Sequence, residues 1–370
     1  MHVSKLLIGA VVGLMLGCGG GGSLETPATA LEVDPADISE LPFYPHAGRT
    51  GVPLDDGRVL FAGGTRSPSY AEFYNPAEGT WVKVGALVQP RWSHAMVRLK
   101  DGRVLIAGGQ DPDENPAEDP TGLDSAEVFD PASGTFSAVA SSQSPFVTPN
   151  GALLSDGRVL VVSCGWPETK AEIYDPKQDS WSAASAPKKC SDDDYLVSID
   201  GGALTTGGGF AFELERFNAK DGTWSKTSPA PRQYNDHLAV LTDGRVLATG
   251  TLLASDDVPD AAVYDPGTDT WEPTPKIPRE YTTRDGNGIG VVAAGDQVWR
   301  VGGSSETPGE TLDQVEVWDA KSNAWSVAKP LKVARSSPIA TALPDGSVLV
   351  VGGWGEGKQA PLDSAEILKR

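Results

Sequence analysis

The residues best equipped for chemistry recur in step along the chain. Arg49, Arg91, Arg232, Arg284 and Arg335 each stand just ahead of a short apolar run, with Lys189 in a similar place. A ring of guanidinium groups would trap an anion, because each presents a planar fork of donors to a carboxylate or phosphate. Glutamates recur as well, at Glu72, Glu127, Glu172, Glu215, Glu316 and Glu366. The same arginines can therefore form ion pairs with the glutamate of a neighbouring repeat. A feature that repeats with the fold is more often part of the fold, which favours this second role.

Residues that differ from copy to copy are the better candidates for contact with a ligand. Beside the arginines lie Trp92, His94, Tyr234, Asn235, Asp236, His237, Asn287 and Asn150, and Trp166 and Trp354 follow the apolar runs. Aromatic and amide side chains of this kind suit sugar or peptide contacts, although each can equally pack between repeats. The ligand-binding set expected from sequence is Arg91, Trp92, His94, Arg232, Tyr234, Asn235, Arg284, Asn287, Arg335, Trp166 and Trp354.

A catalytic set is harder to assemble, and none is assigned. Beyond the leader there are three histidines, His46, His94 and His237, and the chain has no G-x-S-x-G, H-E-x-x-H or P-loop motif. The acidic loop at 110–125 opens with Asp111, Asp113 and Asn115 at calcium-loop spacing. However, Pro116 stands at the turn glycine and Gly122 at the bidentate glutamate, so an EF-hand-like site is not expected; the loop reads as solvated and no metal is assigned, with a looser calcium site as the alternative. Cys164 and Cys190 are expected to pair if the compartment is oxidising, with two reduced thiols as the alternative.

The elements that must position these residues come from repetition. DGRVLFAGG at 56–64 recurs as DGRVLIAGG, DGRVLVVSCG, DGGALTTGGG, DGRVLATGT, GDQVWRVGG and DGSVLVVGG, seven copies in all. Each is followed by a segment of the type SAEVFDPASGTF, which breaks off as SAEILKR in the seventh; in the six complete copies two aromatic positions lie seven apart, from Tyr74 and Trp81 to Trp318 and Trp325. One copy reads as a four-stranded antiparallel sheet, with strands a to d. An Asp-Gly turn joins a to b, the apolar strand b ends at a glycine pair, and an Asp-Pro step turns c into d. Cys164 is read as replacing the first glycine of the third pair and Thr251 the second of the fifth, and Ala262 as replacing the glutamate of the fifth copy.

This order of Gly-Gly, Glu-x-Tyr-Asp and Trp resembles the kelch repeat. The resemblance implies an all-β, seven-bladed β-propeller over residues 30–370, with functional loops around one mouth of the central channel. The seventh copy ends after strand c, so its outer strand is expected from 30–41, closing the ring and removing two exposed sheet edges. The family also contains enzymes similar to galactose oxidase and to a sialic-acid mutarotase. A mutarotase needs only an acid and a base, which Arg91, His94 and Asp236 could supply.

The first residues read as a targeting segment. Leu6 to Leu16 is an apolar run too short to span a bilayer, behind Lys5, and Met15-Leu16-Gly17-Cys18 resembles a bacterial lipobox. Residues 1–17 are expected to be a signal peptide, Cys18 the lipidated residue and 18–29 a glycine-rich tether. Gly19 in place of aspartate points to the outer membrane. A net charge of −20 disfavours nucleic acid and bare anionic lipid. The expected function is a monomeric cell-envelope binding or scaffolding module for a protein or glycan, anchored in the membrane by lipid and without a cofactor. A sugar-processing enzyme is the alternative.

Overall fold

The computed structural model describes residues 29–32, 51–64, 68–113, 121–164, 168–190, 195–206, 212–231, 237–250, 259–278, 288–305, 310–355 and 361–369. These residues form seven four-stranded antiparallel sheets and no helix. Blades 1 to 6 comprise 52–86, 95–139, 149–183, 196–226, 237–273 and 290–327. Blade 7 comprises 339–369, with Thr29–Glu32 lying antiparallel to Ala365–Lys369 as its outermost strand. The a strands touch around a closed cycle in which blade 1 meets both blade 2 and blade 7. The fold is a seven-bladed β-propeller, as the repeats imply.

Local sequence explains the gradient of burial across each blade. Strand b is apolar and buried along its whole length in Val59–Ala62, Val104–Ala107 and Val348–Val351, and nearly so in the other blades. Such a strand needs cover on both faces, and adjacent blades provide it. The outer strands alternate more and are largely exposed, as in Thr135–Val139. The core accordingly falls into seven apolar clusters, one at each seam between blades.

The aromatic pairs seven residues apart sit directly opposite each other on strands c and d, for example Tyr74 with Trp81 and Tyr174 with Trp181. Their ring centroids lie 5.1 Å apart in both blades. The tryptophan also ties blades together. Trp181 Nε1 donates to the Ala140 carbonyl at 2.7 Å and Trp271 Nε1 to the Ser228 carbonyl at 2.9 Å, each on the preceding blade's exit.

Register corrects one assignment. Val104 lies opposite Phe129, and Val159 opposite Tyr174. Counting on from these residues, Gly108 and Gly109 correspond to Ser163 and Cys164. Cys164 therefore stands at the second glycine position, and Ser163 stands at the first.

Candidate functional site

In an antiparallel a-b-c-d sheet, the b–c loops and the connections from d to the next blade's a emerge at the same end. This rim is built from the glycine pairs. The second glycine donates its N–H to the connection entering the next blade: Gly64 to the Arg91 carbonyl at 3.0 Å, Gly109 to Phe146 at 2.9 Å and Gly303 to Arg335 at 2.9 Å. At two seams the bonds close a three-cornered knot. Phe146 N–H donates to Leu123 and Leu123 N–H to Gly109; Arg335 N–H donates to Leu312 and Leu312 N–H to Gly303. There is no room for side chains here. A Cβ on Gly63 would stand 2.6 Å from the Arg91 carbonyl oxygen, and one on Gly302 2.2 Å from that of Arg335. Both glycines have φ of +67°.

Two of the recurring arginines, Arg91 and Arg335, lie beneath this rim. Arg91 is fully buried, with Nη2 3.1 Å from Glu127 Oε1. Its Nη1 donates to the Gly108 and Ser125 carbonyls at 2.7 and 2.9 Å, and its Nε to Gln89. Arg335 repeats the arrangement: Nη2 is 3.0 Å from Glu366 Oε1, and Nη1 donates to Gly352 and Ser364 at 2.9 and 3.0 Å. Burial lowers the pKa of both guanidinium groups, and the paired carboxylates oppose that shift. Neither group faces solvent, so the expectation that these two would line an anion trap gives way to the ion-pair role. The partner glutamate belongs to the same blade, not to a neighbour. At the corresponding place in blade 3 stands Phe146, also fully buried.

The repeated glutamates have a further task. Glu127 accepts Val88 N–H at 2.7 Å, and Glu172 accepts Gln143 and Ser144 N–H at 2.9 Å each. Glu215 accepts Lys188 N–H at 2.6 Å, and Glu366 accepts Lys332 N–H at 2.8 Å. Each carboxylate thus fastens the incoming connection to its own blade, satisfying N–H groups that would otherwise be buried unpaired.

Among the described residues that vary between copies, Trp92 and Trp354 occupy the rim itself. Trp92 and Gln110 exchange backbone bonds of 3.1 and 2.8 Å; Ser336 and Trp354 form the equivalent rung in blade 7 with bonds of 2.9 and 2.8 Å. The tryptophan is on the entering connection in blade 2 and after the glycine pair in blade 7, and both indoles are half-buried. Blade 1 lies between them. His94 packs beneath, 5% exposed, with its Cε1 2.7 Å from where a Gly63 Cβ would stand. His237 packs against Tyr195 across the seam of blades 4 and 5, with centroids 4.7 Å apart and the rings tilted by 55°. Asn150 lies half-buried in strand a of blade 3, opposite Val162. Cys18, Trp166, Arg232, Tyr234, Asn235, Asp236, Arg284 and Asn287 lie outside the described residues.

Cys164 and Cys190 form a disulfide with Cα atoms 5.4 Å apart. Cys190 directly follows the Lys188–Lys189 pair held by Glu215. The bridge therefore joins blade 3 to the connection entering blade 4 from the position that elsewhere carries the second glycine.

Sequence reasoning missed two buried polar groups. Asp260 is 1% exposed, and its Oδ2 accepts Ile277 N–H at 3.0 Å, a bond that a backbone carbonyl accepts at the exits of other blades. Arg300 lies on strand b of blade 6, opposite Glu316 and 1% exposed. An arginine inside the apolar run QVWRV was the available signal. Among the described residues, no three His, Cys, Asp or Glu side chains are grouped as a metal site.

Comparison with known proteins agrees with this architecture. The kelch motif family matches residues 286–332, which include the whole of blade 6. Kelch-like protein 35 of Mus musculus is 31% identical over 137 residues, which is 35% of this chain and 22% of that protein. The chain thus spans about a fifth of the curated relative it matches. A solved fungal alcohol oxidase of the AA5 family, in complex with copper, superposes with a TM-score of 0.69 at 16% identity, covering 93% of this chain and 76% of the other. That likeness concerns the fold alone. The chain is a seven-bladed β-propeller whose repeats are similar to kelch motifs.

Proposed function

We propose that this protein is a binding or scaffolding module that presents the b–c rim to a protein or glycan at the cell envelope. The observation that carries this reading is the division of labour at the rim. Residues that recur in step, Arg91, Arg335 and the glutamates, are consumed by the framework, whereas the copy-specific Trp92 and Trp354 stand half-buried on its rungs. Rigid rungs carrying aromatic side chains suit recognition, because little conformational entropy is lost on binding. Lipidation at Cys18, with cleavage of 1–17 and attachment to the outer membrane, belongs to the same proposal and is motivated by the leader sequence.

The test is a glycan array and an envelope pull-down with the intact chain, comparing wild type with Trp92→Ala and Trp354→Ala. Retained ligand in both variants would count against the rim. A sugar-processing enzyme is the second reading, favoured by the likeness in fold to the fungal alcohol oxidase. Saturable turnover of a sugar, lost on changing His94 or Asp236, would establish it.

A further inference from the structure

At the seam between blades 6 and 7, three hydroxyls lie buried without a hydrogen-bond partner: Ser304 Oγ, Thr311 Oγ1 and Ser336 Oγ. They stand on adjoining rim segments. Ser304 follows the glycine pair of blade 6 and bridges Thr311 on the return side of the same loop. The residue after Thr311, Leu312, accepts the N–H of Arg335, the residue before Ser336, at 3.0 Å. Gly288 lies against both serines: a Cβ there would stand 3.5 Å from Ser304 Oγ and 3.4 Å from Ser336 Cβ. Its φ of +125° keeps that space free of a side chain. Ser336 is 1% exposed and Thr311 8%. Unpaired buried hydroxyls are destabilising, so three at one seam favour a polar partner seated among them. Trp354, bonded to Ser336 through the backbone, is the adjacent aromatic residue.

We infer that this seam is a subsite for a neutral, hydroxyl-bearing ring, one sugar residue of a glycan. The inference rests on the rim reading above and narrows its ligand class. A serine or threonine hydroxyl both donates and accepts, so three of them match the alcohol groups of a sugar through short side-chain rotations. An indole supplies apolar surface for the C–H face of the ring. Anionic ligands are disfavoured. The Arg335 guanidinium is closed off by the Glu366 carboxylate, the Ser364 hydroxyl and the carbonyls of Val333, Gly352 and Ser364, while Glu310, bonded to Ser305, and Asp313 expose carboxylates beside the seam.

The experiment titrates the full chain in detergent by calorimetry with neutral galactose- and N-acetylglucosamine-terminated oligosaccharides, and with sialylated counterparts. The variants are Ser336→Ala, Thr311→Val, Trp354→Ala and Trp354→Phe, each with a melting curve. The expected result is binding of a neutral oligosaccharide, weakened about fivefold by Ser336→Ala or Thr311→Val, with melting temperature unchanged or raised. Trp354→Ala weakens it further, and Trp354→Phe restores part of the loss. Neutral-sugar binding indifferent to both hydroxyl variants, or preference for the sialylated form, overturns the subsite and leaves the rim reading standing. So does capture of a peptide or protein, in place of a glycan, that depends on Trp92 and Trp354. Failure of every ligand to depend on those tryptophans overturns the rim reading itself.

Discussion

In blade 3 the Tyr174 hydroxyl donates a hydrogen bond to Asp179 Oδ1 over 3.0 Å, with Asp179 held at a φ of +47° in the c–d turn. The same relationship joins Tyr264 to Asp269 at 2.8 Å and Trp318 Nε1 to Asn323 at 3.1 Å. In blades 2 and 4 the aromatic residue is Phe129 or Phe217, which has nothing to donate, and the turn position is Gly134 or Gly222. The turn residue thus follows the donor on the ring. Blade 1 breaks the pattern: Tyr74 faces a turn with Gly79, and its hydroxyl is buried without a partner.

Gly79→Asp should therefore stabilise the protein. Gly79 has a φ of +66°, and no atom lies within 4 Å of a Cβ built there. Aspartate tolerates this backbone and would give the Tyr74 hydroxyl an acceptor, a gain of about 1 kcal/mol. Calorimetric melting checks it, and the gain should vanish in Tyr74→Phe/Gly79→Asp.

Arg91→Met should cost about 3–5 kcal/mol, because it leaves the Glu127 carboxylate buried without its counter-charge. Adding Glu127→Gln should recover part of that loss. A melting temperature unmoved by Arg91→Met would return this arginine to the list of ligand contacts.

Replacing Cys164 and Cys190 by serine should lower stability by about 2–4 kcal/mol, the usual value of a cross-link closing a loop of this length. Here the bridge also takes the place of a glycine stitch. Denaturant unfolding of the double variant, beside reduced wild type, measures it.

Deleting Thr29–Glu32 should expose the edge of Ala365–Lys369 and promote association through it. Light scattering and melting curves of the truncated chain test this role in closure. An unchanged monomer with unchanged melting temperature would remove the strand from the ring.

Alkaline pH should destabilise the fold. Burial pushes the Tyr74 hydroxyl up to about 12 from 10.0, and Tyr174 and Tyr264 move in the same direction, chiefly through burial and then through their aspartates. The unfolded chain releases these protons first, so stability is intact below about pH 10 and falls as pH rises towards 12. Tyrosinate absorbance should rise together with loss of the folded signal.

Much of the fold was legible because its determinants are local. The Asp-Gly turns, the largely apolar b strands and the aromatic spacing specify each blade from residues close in sequence, and repetition gives the number seven. The rim was less legible. Phe146 in place of an arginine, Asp260 in place of a carbonyl, and the assignment of Cys164 to the second glycine position depend on strand register and on contacts across a seam. Composition does not encode these features.

By itself, then, the sequence determined blade number, strand order and the recurrence of arginine with glutamate. Only the tertiary structure decided that Arg91 and Arg335 turn inward to Glu127 and Glu366 of their own blades, and that the hydroxyls of Ser304, Thr311 and Ser336 meet at one seam. The reason is physical: a repeat fixes backbone geometry through short-range hydrogen bonds and burial. Whether a polar side chain is closed off or left unpaired depends on the neighbouring blade that packs over it.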